Sequence, residues 1–324
     1  MEPQNDRYEP IRNVPAIACF LCSRQIRMDR TDFSIVLTLG LLPSRLALLH
    51  HEGSSQMRDE FFGNDDQRAL LRRGRGLAAL LGQDRRYSYY GRTVGLPGPE
   101  DGDIDQLAAL ITVQGYAVYG AVPLNQVEAI KTSLSARGLV PMHYDKWQGS
   151  GSAIAAARQV AATLFLPEDV TMLRLDASTA DGQLASLAEM ALGCGVLPPC
   201  GEVLRGLLRP AVCLVAVDRA SKVVSCAASS AYAHEDHPKH GRQAWWGMLA
   251  TDPMRRGQRL SVVLGAHALL EMETRFGFGD FMTGVEPGNA PSEAVCSRMG
   301  LSKGHSAVIV CADPRALASG RMTK

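Results

Sequence analysis

The second half of the chain alternates apolar runs of strand length with longer segments of helical period. Val170 to Leu175 reads as a strand. After it, Leu184, Leu187, Ala188 and Ala191 share one helical face, which Ser178 or Thr179 can cap and Gly193 and Gly195 close. Glu202 to Leu208 is a second, shorter helix. Ala211 to Val217 and Lys222 to Ala231 are apolar strands joined by Asp218-Arg219-Ala220-Ser221, a hairpin signal. A polar stretch, His234 to Gln243, precedes a third strand, Ala244 to Thr251. A long helix from about Gly257 to Arg275 brings Leu260, Val263, Leu264, His267 and Leu270 near one face. Phe281 to Val285 is a strand, Pro291 to Met299 a helix followed by Gly300, and Ala307 to Cys311 the last strand. The order β-α-α-β-β-β-α-β-α-β predicts an α/β domain on a mixed sheet.

The first half is less regular. An apolar stretch from Phe33 to Leu49 is broken by Gly40 and Pro43, and residues 52–104 are polar and glycine-rich. Residues 96–103 (LPGPEDGD) are a loop by composition. Ile104 to Gln114 reads as a helix and Tyr116 to Val122 as a strand. A further helix carries Val127, Ile130 and Leu134, and Leu139 to Tyr144 is a second strand. The run WQGSGS, 147–152, marks the edge of a linker, and an alanine-rich helix follows over 153–165. These signals divide the chain into a small α/β domain of open topology and role, residues 1–165, and a second domain, residues 166–324. The first could complete a substrate site, mediate dimerisation or sense a metabolite.

Charge narrows the function classes. With 34 basic and 33 acidic residues the net charge is +1, so nothing favours nucleic acid or anionic lipid as a partner. The longest apolar run, Phe33 to Leu42, falls well short of the roughly 20 residues a membrane-spanning helix needs. Glu2, Asp6 and Glu9 replace the basic start of a secretory signal, so a cytoplasmic protein is expected. The eight cysteines include several inside apolar runs and read as reduced, buried residues. Cys19 and Cys22 form a lone CxxC without a second pair, and no metal site is expected.

The chemistry concentrates at Asp252-Pro253-Met254-Arg255-Arg256-Gly257-Gln258-Arg259-Leu260-Ser261, a basic turn between a strand and the start of the long helix. Free backbone N–H groups and the positive end of the helix dipole meet there, which makes an anion site suited to a pyrophosphate. At this point the sequence resembles the GNAT superfamily of acyl-CoA-dependent N-acetyltransferases, whose signature is Arg/Gln-x-x-Gly-x-Gly/Ala after a strand ending in x-x-Pro. Here Arg256 agrees, Arg259 stands where Gly is usual, and Ser261 stands where Gly or Ala is usual. Asn289 and, eleven residues later, Gly300 match a second family motif. The resemblance covers about 145 residues and implies the GNAT fold for the C-terminal half. Residues 73–78 (RGRGLA) fit the signature more closely, but no strand precedes them, and they read as a solvated basic turn.

The resemblance implies transfer of an acetyl group from acetyl-CoA to the amine of a small molecule or peptide, by direct attack in a ternary complex. Backbone groups of Leu249, Ala250 and Thr251 would hold the pantetheine arm and the thioester oxygen. Arg256, Gly257, Gln258, Arg259, Leu260 and Ser261 would hold the diphosphate, with Asn289 lining the cofactor on the other side. Cys296 occupies the place of the family's tyrosine acid, but as a short thiol in an apolar helix it reads first as a small packed residue on the inner face. Glu286 is favoured as general base over His234, Asp236, His237 and His240 of the polar loop. Trp245 and Trp246 alternate across their strand, so one belongs to the core and the other lines a pocket or packs under a helix. An acidic acceptor pocket would indicate a polyamine or aminoglycoside, a basic one an amino acid. The missing tyrosine and Arg259 keep a second class open, a GNAT-fold sensor that binds acetyl-CoA without turnover.

Overall fold

Strands that are apolar on both faces need cover on both sides, and here they are gathered into one mixed sheet with helices on each face. A computed structural model of the chain describes residues 59–317 and Met322. The expectations for Cys19, Cys22 and the run from Phe33 lie outside the described residues. Ser55–Lys324 forms one unit. Its elements in chain order are α1 (Asp65–Leu81), β1 (Ser88–Tyr89), β2 (Val94–Gly95), α2 (Ile104–Gln114), β3 (Tyr116–Pro123), α3 (Val127–Ser135), β4 (Val140–Gly149) and α4 (Gly151–Thr163). Then follow β5 (Val170–Arg174), α5 (Asp181–Gly193), α6 (Gly201–Leu204), β6 (Ala211–Asp218), β7 (Val223–Ala231), β8 (Gln243–Thr251), α7 (Leu260–Phe276), β9 (Asp280–Val285), α8 (Ala290–Arg298) and β10 (Ser302–Ala312). The large sheet has the order β3-β10-β4-β9-β8-β7-β6-β5, antiparallel throughout except for β8 beside β9.

The boundary expected at residue 165 does not divide this structure. β3 and β4 come from its N-terminal side, yet β4 lies between β9 and β10, and β3 covers the far edge of β10. Residues 166–324 alone therefore supply no continuous sheet. The expected linker edge at Trp147 is also strand: Trp147 is buried and pairs with Thr283, and the ladder runs on to Gly149 opposite Phe281. Its glycines and serines begin only where that ladder ends.

One helix was hidden by its composition. Residues 73–78, read as a basic turn, lie in the middle of α1. Asn64 and Gln67 form a reciprocal capping box at its start, and Arg75 pairs with Glu202. The apolar face of Leu70 and Leu71 is fully buried, and that burial outweighs the cost of two helical glycines.

The core lies on both faces of the sheet. On one face α7 and α4 pack over Trp246, Phe281, Val224 and Ala227. Trp246 is fully buried and its indole N–H donates to the Gly265 carbonyl of α7 at 3.1 Å. On the other face α5 buries Leu184 and Leu187 against Val215 and Cys226.

Candidate active site

β8 and β9 pair only where Gln243, Ala244 and Trp245 face Asp280, Phe281 and Met282. Beyond that point β8 runs on to Thr251 and β9 to Val285 without pairing, and a cleft of about 700 Å³ opens between them. Two features part the strands. β9 is held on its other edge by β4, from Asp145 to Gly149. β8 carries a bulge: Met248 has φ of 56°, and the register with β7 shifts between the pairs Ala228–Gly247 and Cys226–Ala250. The edge of β8 left open is a row of backbone donors and acceptors. An extended, amide-bearing chain can lie along such an edge as an added strand. Leu249, Ala250 and Thr251, expected to bind the cofactor, all line this cleft.

At the open end the chain turns into α7. Gly257 and Arg259 both take the left-handed conformation, with φ of 80° and 59°. Arg259 therefore reproduces the backbone a glycine would adopt freely, at a cost of roughly 1–2 kcal/mol. The helix begins at Leu260, three residues later than the sequence suggested, because Gly257 to Arg259 are spent on this turn. Among the described residues no acceptor takes up the N–H groups of Gly257, Gln258, Leu260 and Ser261. Arg255 is committed to Asp169, at 2.8 and 3.1 Å, and pins the turn to the residue before β5. Arg256 and Arg259 are exposed and without an acidic partner among the described residues. Two guanidinium groups uncommitted among the described residues, beside free N–H groups at a helix N-terminus, are the arrangement an anion needs.

The opposite wall comes from β9 and α8. Asn289 lines the cleft, but its side-chain carbonyl accepts from the Ser292 N–H at 3.2 Å and caps α8, so its amide N–H₂ is the part left to face a ligand. Glu286 lines the cleft just after β9. Cys296 also borders it and is 3% exposed, and burial pushes its thiol up to about 12. A thiol that holds its proton so tightly is a poor donor to a departing thiolate with a pKa near the ordinary 8.5. Cys296 belongs to the same buried cluster as Trp246 and Met299.

On the α5 side of the splay the cleft widens among residues that sequence reasoning did not single out. Tyr90, Tyr116 and Tyr144 wall it together with Trp245. The two tryptophans thus divide as alternation requires: Trp246 is core and Trp245 lines the pocket. Arg92 sets its guanidinium 5.4 Å from the Trp245 ring centroid. Its Nε donates to the Leu197 carbonyl at 2.8 Å, and burial pulls its pKa down to about 10. No sequence motif marks Arg92; packing of α1 beside residues 92–93 puts it there.

The polar-loop candidates lie elsewhere. His234, Asp236, His237 and His240 do not line this cleft. His237 and His240 are buried rather than solvated. His237 accepts at Nδ1 from the Lys239 and His240 N–H groups, and its Nε2 lies 3.0 Å from Asp101. His240 has no partner for either ring nitrogen among the described residues. Burial, then the nearby Lys146 and His237, depresses its pKa to about 4.

Among the described residues no helix is long and apolar enough to cross a membrane, and no cluster of potential metal ligands occurs. No protein-family model and no curated protein matches the chain. Several solved structures similar to it are GNAT N-acetyltransferases. A GCN5-related N-acetyltransferase from Kribbella flavida is 14% identical over 78% of this chain and 98% of that one, with a TM-score of 0.46. A GCN5-related N-acetyltransferase-like protein from Streptococcus suis is 14% identical over 60% and 70%, with a TM-score of 0.40. A tandem GNAT protein from the clavulanic acid biosynthesis pathway is 14% identical over 64% and 66%, with a TM-score of 0.42. Likenesses at this level leave the functional reading to the cleft itself.

Proposed function

We propose that the protein is an acyltransferase that moves the acetyl group of acetyl-CoA to an amine, in the cytoplasm and without a metal. The observation that carries this reading is the parting of β8 and β9 above an anion-binding turn. The pantetheine amides would lie along the open edge of β8 at Leu249 to Thr251. The diphosphate would sit on residues 256–261, and Asn289 would face the cofactor from the other wall. The thioester would then reach the α5 side of the splay, where the amine waits. The amine nitrogen attacks the thioester carbonyl, the C–N bond forms and the C–S bond breaks. Glu286 takes the proton the nitrogen loses, and water protonates the thiolate. Holding both reactants in one cleft would supply most of the rate, as effective molarity does in such reactions.

Cys296 keeps the second reading in play, a sensor that binds acetyl-CoA without turnover, since a buried thiol stands where the resemblance would place a tyrosine acid. Two measurements separate the readings. Calorimetry of the full chain with acetyl-CoA should show micromolar binding, and Arg256→Glu should raise the Kd at least about tenfold, the loss of a charge-assisted contact. Absence of heat up to millimolar acetyl-CoA refutes both readings. Thiol release that depends on an added amine establishes the enzyme, whereas tight binding with only background hydrolysis across a broad amine panel establishes the sensor.

A further inference from the structure

The α5 side of the cleft carries a charge, that of Arg92, that no acidic side chain balances among the described residues. Arg92 is fixed at two points, by the Leu197 carbonyl on Nε and by the Trp245 ring, whose centroid lies 5.4 Å from its guanidinium carbon. Neither contact uses the two terminal N–H₂ groups. Among the described residues it forms no ion pair, and the groups that act on its charge are Tyr116, Tyr89 and Cys200, none of them a carboxylate. Among the described residues the cleft is lined by Arg92, Arg256 and Arg259, besides Arg255 with its Asp169 partner, and by one carboxylate, that of Glu286. A guanidinium drawn out of water without a counter-ion is costly to maintain. Its planar fork, held rigid at one edge, matches a carboxylate with two parallel hydrogen bonds. A polyamine would meet repulsion in the same place.

We infer that the acceptor is an amino acid with a free carboxylate, held by Arg92, with its side chain among Tyr90, Tyr116, Tyr144 and Trp245. The inference rests on the acetyl-transfer reading of the cleft and names its second substrate class. The carboxylate contact would fix which end of the amino acid points inward, so that the amine faces the thioester.

The test uses the full chain and matched triplets: an amino acid, its amide and its decarboxylated amine, with phenylalanine, phenylalaninamide and phenethylamine as one set and leucine and alanine sets beside it. Binding is read by calorimetry with CoA present, which cannot react, and turnover by thiol release from acetyl-CoA. The acid of at least one set should bind and react about tenfold or more better than its amide and amine. That preference runs against intrinsic reactivity, because the amide's less basic nitrogen is more often unprotonated at neutral pH. Arg92→Gln should raise the KM for the acid by about 10- to 100-fold and erase the preference, while the CoA Kd, which reports an intact fold, holds. Equal binding of acid, amide and amine, an undiminished preference in Arg92→Gln, or no binding by any acid while CoA binds, each overturns the inference and leaves the cofactor site standing. Arg92-dependent acid binding without thiol release supports the inferred ligand and overturns the transfer reading. Failure to bind CoA at all removes the proposed function and this inference together.

Discussion

His240 shows at the scale of one residue how burial sets chemistry. It is 7% exposed, and its ring lies 4.8 Å from His237 and 6.1 Å from Tyr232, centroid to centroid. The charged groups acting on it are Lys146, Glu100 and Lys239, with His237 beside it. Lys146 is itself buried, which brings it down to about 8. The folded pKa of His240, about 4, is below the unfolded value near 6.5. Between those values the unfolded chain binds a proton that the folded chain refuses. Stability should therefore rise with pH from 4 to 6.5, and this destabilisation is complete below pH 4. His240→Phe keeps the ring, loses no hydrogen bond seen here, and should flatten that part of the profile by one proton. Urea unfolding of both proteins from pH 4 to 7 reads the difference, and parallel profiles would show that His240 titrates normally. Arg259 is the counterpart in the cleft, where a residue with a Cβ holds the left-handed turn on which the proposed diphosphate would sit.

At the scale of elements, strong periodicity survived translation into structure and composition misled. The helix over Ile104–Gln114 is the one the sequence predicts, and β6 to β9 stand within about a residue of expectation, because each has one dominant apolar pattern; β10 begins at Ser302, ahead of the expected Ala307, because its first residues are polar and carry no such pattern. The turn at residues 256–261 was legible because its chemistry is local. Arg92, Tyr90 and Tyr144 were not legible, because only tertiary packing brings them to the cleft. The bulge at Met248 left no more signal than the neighbouring Gly247. α1 was lost because Gly74 and Gly76 resemble turn residues, whereas Gly74 is a contact. A Cβ there would overlap the Arg92 carbonyl oxygen and crowd the Thr93 Cα at 2.8 Å. Two effects compete in Gly74→Ala. Helix propensity favours alanine by up to about 1 kcal/mol. Overpacking against backbone costs roughly 1–3 kcal/mol and should prevail. Thermal unfolding should show a lower Tm for Gly74→Ala, while Gly76→Ala, which meets nothing within 4 Å, should be neutral or stabilised. A gain of stability in both would mean that α1 does not press on the segment bearing Arg92.

At the scale of the whole unit, the decisive fact is that the cleft is built from both sides of the expected domain boundary. β9 can part from β8 because β4 holds its other edge, and β4 also pairs with β10 along Val140 to Asp145. Removing β4 would leave two unpaired edges in the middle of a sheet, with the backbone groups of Phe281 to Val285 unsatisfied on both sides beyond Met282. It would also uncover Met282 and Val308, which pack in one cluster with Tyr144 of β4. A chain cut at residue 166 loses Arg92 and Tyr90 from the cleft as well. A fragment of residues 166–324 should therefore lack a cooperative thermal transition and show no heat with acetyl-CoA, under conditions where the full chain shows both. Supplying residues 55–165 as a separate chain should restore the transition in part, since the lost ladder is intermolecular in that pairing but otherwise the same. If residues 166–324 fold cooperatively and bind acetyl-CoA as tightly as the full chain, the strand between β9 and β10 is not what holds the cleft open.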